Sequence, residues 1–343
     1  MKKLGLYPYG WNILILLLAL IASVGVGSVF IPPMSTLRIL LDWLPFIQLE
    51  PAWPDTFATI LFRVRLPHTA LIGLTGAALG GSGAVYQGVF RNPLADPYLI
   101  GVASGAGLGA VLAMSRDWPQ NLLGFYTIPI AAFIGALITI TFVYNLARTS
   151  RAASTTTLIL AGVAVSSFAT ALTSYLMLRS SEELRRALGW LLGGAIFSGW
   201  DPVVAVFPYI TIGLLLLLTS GHALNVLQFG EEQAQQMGLR VERIKFFLIV
   251  AASLTTAAAV AFAGIIGFVG LIVPHLVRIL WGPDYRRLIP LSILGGSSLL
   301  LLADLLARAA LSPQVLPVGI VTALAGAPFF LWLLSRARTS GKL

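Results

Sequence analysis

The sequence predicts an all-α polytopic membrane protein, and three observations carry that prediction. Of its 343 residues, 57% are hydrophobic and only 10% are charged, whereas a water-facing domain carries roughly a quarter charged residues. The mean hydropathy is +0.90. Apolar runs approaching or reaching the roughly 20 residues that cross the hydrocarbon recur along the whole length, as from Trp11 to Phe30 and from Val203 to Thr219. Residues 1–343 therefore read as a single transmembrane domain.

Taken in order, the apolar segments predict about ten transmembrane helices, over 11–31, 57–88, 98–114, 122–146, 155–178, 203–219, 243–262, 269–281, 287–309 and 317–335. The first follows Lys2 and Lys3, as a signal peptide would. It is too long for one, shows no small-residue cleavage site and is followed by many more spans. The second and third flank a polar hinge, Arg91-Asn92-Pro93-Leu94-Ala95-Asp96-Pro97. Both are rich in small residues, including Gly76-x-x-x-Gly80 and Gly101-x-x-x-Gly105-x-x-x-Gly109. In a bilayer such faces let backbones approach closely, and packing drives association. The eighth, 269–281, is too short to cross alone, and the run Ala263 to Gly270 before it predicts a broken helix. Irregular backbone at membrane depth survives only where protein or a watery cavity surrounds it.

Two segments between spans read as structured. Residues 182–197 open on Glu182, Glu183, Arg185 and Arg186 and then turn apolar, which suits an outer-surface helix. Residues 224–243 are charged and amphipathic, with Gly230 and Gly238 bracketing a short helical pattern. Glu231 and Glu232 fall near its positive N-terminal end. With both termini inside, the larger share of the 22 lysines and arginines lies at the inner ends, as the positive-inside rule requires.

Several function classes are excluded. The chain has no cysteine, so disulfides and cysteine metal sites are ruled out. Its formal charge of +9 fits loops facing anionic lipid. No basic run is interleaved with aromatics as a base-stacking surface requires, so nucleic acid is not an expected partner. The sequence contains no G-x-x-x-x-G-K-[ST], and so no loop to cradle nucleotide phosphates. Nothing resembles a nucleophile–base pair or a metal-ligand cluster. Neither enzymatic activity nor a metal site is expected.

The stretch from Arg65 to Gly109, RLPHTALIGLTGAALGGSGAVYQGVFRNPLADPYLIGVASGAGLG, is the most specific in the chain. Later come AVAFAGIIGFVGLIVPHLVR (259–278), GPDYRRLIPLS (282–292), LLLADLLAR (300–308) and LPVGIVTALAGAPFFLWLL (316–334). In content and order these resemble the permease subunits of type II ABC importers, which take up ferric siderophores, haem and cobalamin. The resemblance implies ten helices per subunit and a central path between two copies, or between this chain and a close relative. It also implies two separate ATP-binding subunits, which would hold ATP and Mg, and a periplasmic or lipid-anchored substrate-binding protein. The permease itself needs no cofactor and sits as a multi-pass protein in a prokaryotic cytoplasmic membrane. A ferric siderophore is the expected cargo, with haem or cobalamin as the alternative. An ion-coupled secondary transporter is the rival from another class.

Residue by residue, the resemblance assigns Arg65, His68 and Arg308 to an outward docking set for acidic residues of the binding protein. Relatives usually carry arginine where this chain has His68. The plain alternative is that such arginines anchor helix ends at the interface. Asn92 and Leu94, with Thr155 and Thr156, match positions that narrow the cytoplasmic mouth, where leucine and small polar groups can close a pore by dewetting. Asn92-Pro93 would also make an ordinary turn. Gly230 to Leu239 matches the segment pressed into the ATPase, with Glu231, Gln235 and Leu239 as its contact face.

Asp304 lies four residues before Arg308. A lone carboxylate in the membrane costs about 2.5–3.5 kcal/mol, which an i,i+4 partner relieves. A structural ion pair is expected there rather than a proton relay. His275 is expected to be packed and hydrogen-bonded, and His222 to lie in a loop. The path is expected to be lined by small and apolar residues, leaving selectivity to the binding protein.

Overall fold

Residues 7–27, 29, 31–43, 53–115, 126–147, 155–178, 181–194, 199–311 and 314–339 are described in a computed structural model of the chain. Its centre is α4 (Leu66–Val89), in which every residue from Thr75 to Val89 is buried. α4 continues without a break from α3 (Asp55–Ile60) through a π-helical turn, Leu61–Arg65, to make a 35-residue helix. Such turns re-aim side chains and recur at functional sites. Here the turn delivers Arg65.

Around α4 stand α1 (Tyr7–Gly25), α12 (Val241–Ala263), α13 (Val269–Trp281) and α14 (Tyr285–Ala310). Glycine makes the closest of these contacts possible. A Cβ on Gly76 would fall 2.3 Å from the Gly296 carbonyl oxygen, and one on Gly80 2.2 Å from that of Ser292. The same device joins α5 (Val102–Ser115) to α6 (Thr127–Ala147), where a Cβ on Gly109 would sit 2.1 Å from the Ala131 carbonyl. The glycine rows are packing faces.

Seven helices are long and apolar enough to cross a membrane: α1, α3–α4, α6, α7 (Thr155–Met177), α9 (Asp201–Thr219), α12 and α14. Three shorter apolar helices, α5, α13 and α15 (Val318–Thr339), complete the set. All ten expected spans are present in order. Large apolar side chains such as Ile21, Leu160 and Leu215 stay exposed, as a lipid-facing surface requires.

The boundaries differ in instructive ways. α1 runs over 7–25 rather than 11–31, and Pro32 and Pro33 then start an unexpected short helix, α2 (Pro33–Asp42). Its Arg38 and Asp42 interrupt the apolar run that would have marked it. The fourth span begins at Thr127, residues 122–125 lying outside the described residues. The helix expected within 182–197 appears as α8 (Ser181–Leu191), with 195–197 outside the described residues. The 224–243 segment is not one element. It divides into the end of α10 (Gly221–Leu227), then α11 (Glu231–Gln236), then the start of α12. Gly230 at φ +116° and Gly238 at φ +87° bracket α11, a conformation that glycine adopts without strain.

The predicted break is real. Residues 264–268 between α12 and α13 are non-helical, with Gly264 at φ +78° and Phe268 at φ +68°. The Tyr98 hydroxyl donates to the Ile266 carbonyl at 2.9 Å and accepts from the Ile266 N–H at 3.2 Å. A phenol from the hinge thus satisfies the irregular backbone where water is scarce.

Candidate translocation site and its flanking contacts

At one end of the bundle the C-terminus of α1 is held in a polar clasp. Arg65 Nη1 donates to the Val24 and Gly25 carbonyls at 2.9 and 2.8 Å, and its Nη2 to the Val29 carbonyl. Arg308 donates to Val26 O at 2.9 Å, to Ser23 O at 3.2 Å and to Ser23 Oγ at 3.0 Å. The last carbonyls of a helix have no intrahelical partner and carry its negative end, so two guanidiniums are apt there. Asp304, 3% exposed, balances them. Its Oδ2 accepts from Arg308 Nε at 2.9 Å and its Oδ1 lies 2.9 Å from His68 Nε2. The Asp304–Arg308 pair is formed as expected; His68 is a second partner that sequence reasoning missed. The docking set was expected to be outward charges. In the single chain Arg65 is 6% exposed, and both guanidiniums bond the orphan carbonyls at the end of α1 that lie within reach.

The hinge is a chain of short-range caps. Asn92 Oδ1 accepts from the Leu94 N–H at 2.9 Å, and the Ala95 N–H donates to the Asn92 carbonyl. Asp96 Oδ1 then accepts from the Tyr98 N–H at 2.8 Å and caps a 3-10 turn, Pro97–Ile100, which Gly101 ends at φ +86°. Burial pushes the Asp96 carboxyl up to about 6, against the lowering effect of the Tyr98 N–H. Asn92 is therefore a turn residue in this geometry, with Leu94 half-buried beside it. Thr156 is exposed at the start of α7; the Thr155 side chain lies outside the described residues.

Between this hinge and α7 runs an open groove of about 680 Å³, lined by Asp96, Tyr98 and Leu99 and by one face of α7. That face presents Ser166, Ser167, Thr170 and Ser174 among Val163 and Ala171. The α7 side chains that line it are small, as expected of the path from sequence, and their hydroxyls interrupt a surface that is mostly apolar. The Ser167 hydroxyl bonds back to the Val163 carbonyl and Ser166 accepts from Ser104, but a carboxylate opening on the same groove marks a wet surface. Ionisable groups within a membrane domain face its interior or a water-filled cavity.

At the other end of the bundle α11 is anchored by its own first residue. Glu231 Oε1 accepts from Lys245 Nζ of α12 at 2.8 Å, and that lysine is 4% exposed. Leu239 is half-buried and packs against the core, while Ala234 is fully buried. Of the expected contact face only Gln235 is exposed. The surface that α11 actually offers is flanked by Phe229 and Met237, 64% and 61% exposed.

The sequence profile of the FecCD transport family matches residues 15–336. The chain belongs to that family. This FecCD permease is 48% identical, over 82% of its length and 74% of the relative, to the cobalamin import system permease of Halobacterium salinarum. It is 40% identical to an uncharacterised ABC transporter permease of Bacillus subtilis, covering 95% of this chain and 93% of that one. To the hemin transport system permease of Yersinia pestis it is 39% identical over 83% and 85%. A solved metal-chelate type ABC transporter in an inward-facing conformation superposes with a TM-score of 0.80 at 32% identity, covering 96% of this chain and 99% of that one. The FecCD chain is thus a multi-pass permease with the type II ABC importer fold, a translocation component rather than an enzyme.

Two histidine expectations change. His222 lies within α10 and meets Arg286 Nη2 at 2.8 Å through Nδ1. Neither ring nitrogen of His275 has a hydrogen-bond partner among the described residues. No group of three or more His, Cys, Asp or Glu there could hold a metal ion.

Proposed function

We propose that this FecCD permease forms half of the membrane path of an ATP-driven importer for a metal chelate such as a ferric siderophore. The observation that carries the reading is the polar groove along α7. It lies open on a membrane-crossing helix of the single chain, and hydroxyls with a carboxylate do not face acyl chains. A second copy, or a close relative, closes the groove into a conduit. Two ATPase subunits bind ATP and Mg and engage the end of the bundle that carries α11. A periplasmic or lipid-anchored binding protein delivers cargo at the opposite end. There Arg65 and Arg308 outweigh Asp304, and the net positive charge steers an acidic partner. Asn92, Leu94, Thr155 and Thr156 form the gate on the α11 side. The setting is the cytoplasmic membrane of a prokaryote.

The test is reconstitution into liposomes with the ATPase and binding protein, following chelate uptake. ATP-dependent uptake that requires all three components supports the reading. Uptake by the permease alone, driven by a proton or sodium gradient, overturns it. Cobalamin is a second cargo reading, favoured by the likeness to the Halobacterium salinarum permease, and the same assay with cobalamin decides it.

A further inference from the structure

A second pocket, of about 310 Å³, opens between α6 and α9 with α12 as its floor. Every described residue that lines it is apolar or aromatic. Ala205 of α9 and Ala258 and Ala261 of α12 are among them, and side chains that end at Cβ leave the space unfilled. Ala258 and Ala261 are buried, so the pocket reaches into the bundle rather than scoring its surface. Beside its mouth, Ile134 of α6 and Val204 and Phe207 of α9 are exposed, as lipid-facing residues are. α7, which carries the polar groove, packs against α5 and α6, so the surface assigned to a second copy is a different one.

Depth narrows the occupant. Ala205 and Tyr209 stand roughly 6–12 Å along α9 from its start, at 1.5 Å per residue. Trp200, just before α9, is exposed and donates its indole N–H to the Phe62 carbonyl at 2.9 Å. Tyr126 stands at the lip against Phe262, with ring centroids 6.4 Å apart. Trp and Tyr gather at the level of lipid headgroups. The pocket therefore begins just beneath that level, where the first methylenes of an acyl chain run. Water does not settle in a cavity without polar partners, and an unfilled void forfeits dispersion contacts along its lining.

We propose that this pocket seats one acyl chain of a phospholipid, drawn from the leaflet opposite α11, as a wedge against the last turns of α12. α12 ends at Ala263 and the broken stretch 264–268 follows, so the seated chain braces the helix end from which the break departs. A boundary lipid touches only the outward faces, whereas a seated chain also reaches residues 258–262.

The test uses the full-length permease in liposomes of phosphatidylethanolamine and phosphatidylglycerol, doped with a phosphatidylcholine that carries a diazirine in the upper half of one chain. After irradiation, adducts are mapped by peptide mass spectrometry. They are expected at 258–262 as well as at Ile134 and Val204. Ala205→Trp and, separately, Ile130→Trp fill the pocket or its mouth. Each should lose the 258–262 adducts while keeping those on the outward faces, which also reports that the variant is folded and inserted. Adducts confined to the outward faces of the parent overturn the proposal, as do 258–262 adducts that survive both substitutions. A second copy seated on the pocket would instead keep lipid from its mouth. Tyr209→Cys, the only thiol in a chain without cysteine, would then oxidise to a disulfide-linked dimer, and that result too overturns the lipid site.

Discussion

The Tyr98 hydroxyl serves both backbone polar groups of Ile266, donating at 2.9 Å and accepting at 3.2 Å. One side chain thereby ties the hinge to the break between α12 and α13. Ile266 is 1% exposed, so Tyr98→Phe leaves a buried N–H and a buried carbonyl without this partner. Each orphaned group costs about 1–3 kcal/mol. Thermal unfolding of the Tyr98→Phe permease in detergent should shift down accordingly. Hydrogen exchange should quicken at 264–268 before it quickens elsewhere.

Asp304 is the counter-charge of the clasp, 2.9 Å from both His68 and Arg308. Asp304→Ala strands a largely buried guanidinium, and breaking such a pair costs about 3–5 kcal/mol. Adding Arg308→Met should recover much of the loss, which a double-mutant cycle measures. Because Asp304 acts here as an ion-pair partner, uptake by Asp304→Asn should respond to a collapsed proton gradient no differently from the parent.

Gly76 and Gly296 face each other across the α4–α14 contact. Gly296→Val would drive its side chain into the Gly76 carbonyl, where even a Cβ falls at 2.2 Å. Overpacking a fitted contact costs about 1–3 kcal/mol and sometimes more. The variant should lose most of its monodisperse yield on gel filtration, whereas Gly10→Ala, with nothing within 4 Å of the new Cβ, should not.

Phe229 and Met237 flank α11 as exposed apolar groups. Changing both to glutamate should leave permease stability within about 0.5 kcal/mol, as surface substitutions do. It should also abolish co-purification with the ATPase subunit. Retention of the ATPase by the double variant would move the contact elsewhere.

Asp96 titrates at about 6 against an ordinary 3.8, burial being the larger cause. The folded chain therefore holds a proton that the unfolded chain releases over that interval, so this group lowers stability as pH rises from about 4 to 6. The unfolding temperature of the permease in detergent should therefore fall between about pH 4 and pH 6 by an amount that Asp96→Asn removes.

The spans were legible because a bilayer demands long apolar helices, and composition alone reports that. So was the break before α13, since the apolar run that follows it is too short to cross alone. Helix α2 was hidden because Arg38 and Asp42 interrupt its apolar pattern. At the clasp, the i,i+4 spacing exposed Asp304 and Arg308. The His68 partnership spans 236 residues and has no local signature. The wet groove was missed for a similar reason. Serines and threonines on α7 read as tolerable in any membrane helix until the hinge brought a carboxylate beside them. On α11 the glycines were plain from sequence, but which side faced outward depended on Lys245 claiming Glu231.

Arg308 reaches back across 285 residues to Ser23. A ribosome delivers α1 to the bilayer first and α14 almost last. For most of synthesis the newborn first helix keeps its terminal carbonyls under the care of Arg65 and interfacial solvent. The clasp closes only when that late segment arrives, so a chain stalled before Arg308 leaves the end of α1 without its second guanidinium.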